Sequence, residues 1–104
     1  LDILQDPPTL KDNNSIIMIM SPSCSICHEE LEAILKKGVF KNKMSISFYA
    51  EALDKKEFLE FKNKYRKQID IKPLYKQDVQ AMREVIFPLF LKLDREGKIT
   101  KVYR

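Results

Sequence analysis

Ser15-Ile16-Ile17-Met18-Ile19-Met20-Ser21-Pro22-Ser23-Cys24-Ser25-Ile26-Cys27-His28 is the stretch on which the reading of this chain turns. Its uninterrupted apolar run suits a central strand covered on both faces. The run leads directly into Ser21-Pro22-Ser23 and then into two cysteines separated by two residues. Beyond them, residues 28–37 read as a helix. Cys27, Leu31, Ile34 and Leu35 recur at i, i+4, i+7 and i+8, and Lys36-Lys37-Gly38 supplies terminal cations and a glycine stop. A strand-to-helix junction of this kind sets Cys24 beside the free N–H groups of a helix N-terminus, where the dipole favours a thiolate. Cys27, one turn further in, can reach back to close a disulfide. The pair reads as a redox site.

The rest of the composition narrows the alternatives. With 104 residues, 44% hydrophobic and 33% charged, the chain suits one domain with a real core and an ordinary charged surface. No stretch approaches the ~20 apolar residues needed to span a bilayer. The first residue is Leu1, as expected of a processed or trimmed product. The net charge of +4 is spread along the whole length, and the densest basic stretch, residues 55–76, is interleaved with Glu57, Glu60 and Asp70. That pattern describes a solvated helix face rather than a nucleic-acid surface.

Residues 1–14 hold Asp6-Pro7-Pro8 and Lys11-Asp12-Asn13-Asn14 and read as an irregular leader, with the domain occupying 15–104. A second strand is expected over 44–50, where Met44, Ile46 and Phe48 alternate with Ser45, Ser47 and Tyr49. Asp54-Lys55-Lys56-Glu57 has the form of a capping box opening a second helix, with Phe58, Phe61 and Tyr65 as its buried stripe. Residues 69–75 read as irregular around Pro73. A short helix over 77–83 follows, turning Val79 and Met82 inward. Phe87-Pro88 precedes a strand over 89–93, Asp94-Arg95-Glu96-Gly97 forms a hairpin turn, and 98–103 returns as an edge strand.

This order of elements resembles the thioredoxin-like superfamily, and most of all its exported bacterial thiol–disulfide oxidoreductases. The resemblance runs from Ser15 to Tyr103 and rests on Cys24-Ser25-Ile26-Cys27 and on Phe87-Pro88 about sixty residues later. It implies an α/β fold with a central mixed sheet of about four strands flanked by helices. Cys24 would be the nucleophile and Cys27 the buried resolving thiol. A cis Phe87–Pro88 bond would bring these two residues against the sulfurs as a substrate-binding wall, with Pro22 on the opposite side. The resemblance further implies no dissociable cofactor, protein thiol or disulfide substrates, a redox partner protein, and an extracytoplasmic address compatible with a membrane tether outside this chain. Several positions depart from the pattern. Met18 stands where thioredoxin carries a buried carboxylate, Ser23 replaces the usual aromatic, and Ser-Ile replaces Gly-Pro between the cysteines. The chain also ends at Arg104, where the family adds a helix. Glu51, at the end of the second strand, is the nearest substitute for the missing carboxylate; a solvated strand-end charge is its other reading.

Other readings of the cysteines stay open at this point. Cys24-Ser25-Ile26-Cys27-His28 also matches the c-type haem attachment motif, with His28 as axial ligand and Met44 or Met82 as sixth ligand. Small cytochromes of that kind are mostly helical, whereas this chain has several strand-like segments. A zinc site would have two cysteines and one histidine, short of a closed set. A purely structural disulfide across so short a loop contributes only about 2 kcal/mol in the chain-entropy model. A thioredoxin-like binding module without turnover is the remaining class. His28, four residues after Cys24, reads either as a tuner of that thiolate or as a bystander in the first helical turn.

Overall fold

The apolar run becomes strand β1 (Ser15–Met20) in a computed structural model that describes residues 15–37, 45–81 and 86–103. It is followed by α1 (Ser25–Lys37), β2 (Ser45–Glu51), α2 (Lys55–Tyr65), β3 (Ile71–Leu74), α3 (Lys76–Ala81), β4 (Leu89–Leu93) and β5 (Ile99–Tyr103). The strands form one sheet in the order β3-β2-β1-β4-β5. β1 pairs in parallel with β2, and β2 with β3, while β4 and β5 run antiparallel.

β1 lies at the centre, and this explains its composition. Ile17, Met18, Ile19 and Met20 are all fully buried, because side chains alternate between two covered faces. Met18 and Met20 join Phe48, Ala50 and Ile71 beneath α1 and α2, which contribute Cys27, Leu31, Phe58, Phe61 and Tyr65. Ile17 and Ile19 face the other way, with Tyr49, Leu74 and the three leucines of β4, against which Val79 of α3 packs. Successive crossovers from β1 to β2 to β3 step in one direction across the sheet. With the usual right-handed connection they bring both long helices to the same face.

α2 begins as its sequence suggests: Asp54 is the N-cap, extended at φ −110° and ψ 113°, and its carboxylate accepts from the Glu57 N–H at 3.1 Å. At the far hairpin Gly97 takes φ 82°, the region where a Cβ would clash. Asp94 closes that turn by accepting from the Glu96 and Lys98 N–H groups.

The sheet has five strands rather than about four. Residues 69–75 are not irregular throughout, since Ile71–Leu74 forms β3 alongside β2. β3 is an edge strand, so the N–H that Pro73 lacks leaves no central ladder broken, while Ile71 and Leu74 are fully buried. β2 is covered on both faces like β1, which is why Tyr49 is buried although it alternates with the apolar set. The third helix begins at Lys76, one residue before the expected start. The leader 1–14, Gly38, Met44, Met82, Arg83 and Arg104 lie outside the described residues. Among those described, no helix is long and apolar enough to cross a membrane.

Because β1, β2 and β3 are parallel, the loops leaving them meet at one end of the sheet, and the antiparallel β4 starts there. Cys24, Glu51 and Phe87-Pro88 come together through this topology.

Candidate active site

Cys24 immediately precedes α1 and occupies its N-cap position. Its backbone carbonyl accepts from the His28 N–H at 3.3 Å, and its sulfur accepts from the Cys27 N–H at 3.1 Å. The thiol thus replaces the serine or aspartate oxygen that normally satisfies a free N–H at the third helical position. Across the gap Phe87 offers its carbonyl oxygen, 3.8 Å from the same sulfur. The Phe87–Pro88 bond is cis, and Pro88 leads into β4. Cys24 is half-buried and Ile26, between the cysteines, is 57% exposed, so the nucleophile candidate is open to a large reactant.

Cys27 is different in kind. It is fully buried beside Leu31, and both cysteines are free thiols. Burial pushes the Cys27 thiol up to about 12, from an ordinary 9.0, and a hydrogen bond with the Cys24 thiol adds to the rise. A backbone hydrogen bond from Ser21 acts in the opposite direction. The Ser21 main chain thus lies beside the resolving sulfur, while the Ser21 hydroxyl donates to Glu51 Oε1 at 3.4 Å. Glu51 is only 8% exposed, which removes the reading of a solvated strand-end charge. Met18 is fully buried beneath the two long helices.

His28 neither bonds the Cys24 sulfur nor stands as a bystander. Nε2 lies 2.9 Å from the Pro22 carbonyl, Nδ1 lies 3.4 Å from the Tyr65 hydroxyl, and the ring meets Phe61 edge-on at 4.7 Å between centroids. Both ring nitrogens thus face protein groups, where the haem reading would need one of them for iron. Tyr65 in turn reaches Glu32 Oε1 at 3.2 Å; burial, with Glu32 beside it, pushes the phenol up to about 12.

No family model matches the chain, and no curated protein matches it. Solved structures do. A candidate thioredoxin of Neisseria meningitidis superposes with a TM-score of 0.65 at 24% identity, over 86% of this chain and 62% of that one. A secreted disulfide oxidoreductase of Mycobacterium tuberculosis, homologous to DsbE of E. coli, gives 0.60 at 17%, over 83% and 65%. DsbF of the same organism gives 0.66 at 20%, over 86% and 68%. This chain has the thioredoxin-like fold. It spans a little under two thirds of the length of the first two of these structures.

Within that thioredoxin-like frame, the site residues expected from sequence fall into two groups. Cys24, Cys27, Phe87, Pro88 and Glu51 gather at one end of the sheet, whereas His28 turns behind Pro22. Ser21 was not anticipated as a site residue, nor Tyr65 as a partner of His28. The pairing offset between β1 and β2 is thirty residues, as in Met20 with Ala50, and its continuation sets Ser21 against Glu51. That signal exists only once the register is known. Tyr65 belonged to a buried stripe, and nothing local distinguished its hydroxyl.

Proposed function

We propose that the chain is a thiol–disulfide oxidoreductase acting on protein substrates through Cys24 and Cys27. The observation that carries this reading is the asymmetry of the two sulfurs. One is accessible at a helix N-terminus and accepts an N–H; the other is buried, neutral and in contact with the first. In the forward direction the Cys24 thiolate attacks one sulfur of a substrate disulfide, the S–S bond breaks, and the departing sulfur takes a proton. Cys27 then gives up its proton and attacks the Cys24 sulfur. The second substrate thiol is released, so the substrate gains two electrons and the enzyme closes the Cys24–Cys27 disulfide. Run backwards, the same steps oxidise a substrate dithiol.

A thiol pushed up to about 12 does not ionise at neutral pH without an acceptor. We assign that role to Glu51, which the Ser21 hydroxyl holds at this end of the sheet, since Met18 offers no carboxylate. Phe87 and Pro88 form one wall for the substrate and Pro22 the other. A redox partner protein would return the cysteines to their working state. An extracytoplasmic location is supported by the secreted M. tuberculosis protein of like fold; any membrane tether would belong to sequence outside this chain.

The test is covalent capture with insulin as substrate. Cys27→Ser should accumulate a mixed disulfide on Cys24, Cys24→Ser should accumulate almost none, and the unaltered protein should turn over. Capture without turnover would make the chain a binding module. Equal capture by both variants would remove the redox reading.

A further inference from the structure

We infer that His28 is a positioning residue that holds the Pro22 wall in place through its Nε2–H, an inference that rests on the oxidoreductase reading above. The Pro22 carbonyl can only accept a hydrogen bond, so at 2.9 Å Nε2 must carry the hydrogen. The bond spans a gap. A groove of about 300 Å³ lies behind Pro22, bounded by Ser23, Glu57, Glu60 and Phe61, with the imidazole standing in it. Open space rather than packed core therefore backs the loop on that side. The imidazole is itself fixed by the edge of the Phe61 ring, which meets Tyr65 in turn at 5.5 Å.

Counting protons shows why the hold persists. The Glu32 carboxylate accepts from Tyr65, whose single phenolic hydrogen stays on at neutral pH. A neutral His28 has a bare Nδ1, and the Tyr65 hydrogen then serves either Nδ1 or Glu32. An imidazolium instead donates from Nδ1 to the Tyr65 oxygen, and Tyr65 donates onward to Glu32. Lys64, 3.9 Å from Glu32 and over the Tyr65 ring, is the cation at that end, and Glu57 and Glu60 border the groove. Nε2–H is present in every arrangement. Only the Tyr65 end rearranges, and the Pro22 bond is kept.

The experiment compares His28→Leu, His28→Gln and Tyr65→Phe with the unaltered protein on two disulfides. Insulin needs the wall, whereas the small aromatic disulfide of Ellman's reagent needs only the Cys24 sulfur. His28→Leu should raise KM for insulin about five- to tenfold, the loss of one ordinary hydrogen bond, with kcat and the Ellman rate within about twofold. His28→Gln keeps an amide N–H where Nε2 stood and should recover most of the KM. Tyr65→Phe, which leaves that donor in place, should change KM by less than about twofold. Long-range proton–nitrogen NMR should show neutral His28 protonated at Nε2, and the Pro22 carbonyl resonance should move in His28→Leu but not in Tyr65→Phe. An unchanged KM, no recovery with glutamine, a parallel fall in the Ellman rate, or a neutral His28 protonated at Nδ1 rather than Nε2 would each overturn the assignment. If the unaltered protein turns over neither disulfide, the oxidoreductase reading fails by itself. The NMR arm then still decides whether His28 holds the loop.

Discussion

Alkylation of Cys27 provides the most direct quantitative check on the proposed division of labour. In Cys24→Ser only one thiol remains, and its reaction with iodoacetamide reports the thiolate fraction at the buried position. At pH 8 a thiol with the ordinary value of 9.0 is roughly one-tenth ionised, whereas one at about 12 is ionised in about one molecule in ten thousand. The substitution removes the Cys24 hydrogen bond, the second cause of the rise, but leaves burial, the first. The folded variant should therefore react more than about tenfold more slowly than the same chain in concentrated guanidinium chloride, with about a thousandfold as the ceiling that the full rise would set. Between pH 7 and 9 the folded rate should climb about tenfold per unit without levelling. Above pH 9 the unfolded thiol loses its proton while the folded one keeps it, so stability is intact below about 9. It falls by on the order of 1 kcal/mol per pH unit until about 12, with Tyr65 acting in the same direction from 10. A folded rate within tenfold of the unfolded one, or a plateau near pH 9, would show that Cys27 is not held as a thiol. The proposed need for a proton acceptor would then lapse.

Two further outcomes bear on the reading. Glu51→Gln should slow resolution of a preformed Cys24 mixed disulfide, by on the order of the 10²-fold or more that a positioned base contributes, without changing its formation in a stopped-flow assay; an unaltered resolution rate would pass the acceptor role to water. Phe61→Ala removes a side chain that is 3% exposed and packs against His28 and Tyr65, and should cost about 3–5 kcal/mol in urea unfolding, which a loss below 1 kcal/mol would contradict.

The parts of the fold that were legible in sequence share a physical basis: they depend on near neighbours along the chain. The β1 run, the Phe58–Phe61–Tyr65 stripe, the Asp54 cap and the Gly97 turn each follow from spacing or from a backbone preference within a few residues. β3 was missed because Pro73 dominates a four-residue window, and proline is compatible with a strand only when that strand lies at an edge. Edge position belongs to the whole sheet and cannot be read from four residues. The burial of Tyr49 could not be read from the alternation for the same reason, since the cover over it comes from a different part of the chain.

The candidate site divides along the same line. Cys24 and Cys27 declare themselves locally, and Pro88 becomes meaningful through the resemblance, but the support for the chemistry is tertiary. A carboxylate at Met18 would lie inside the apolar layer beneath α1 and α2, where a charge without a partner is costly. Glu51 occupies the end of the neighbouring strand instead, where Ser21 donates to it and a sliver of its surface still meets solvent. On the proposed assignment, a group there would take a proton from the buried thiol and pass it to water without entering the core. Moving the carboxylate from the middle of β1 to the end of β2 would then keep a proton acceptor while leaving Ile16 to Met20 an unbroken apolar run. The assignment would account together for the methionine at position 18, the burial of Glu51 and the hydroxyl that donates to it from position 21.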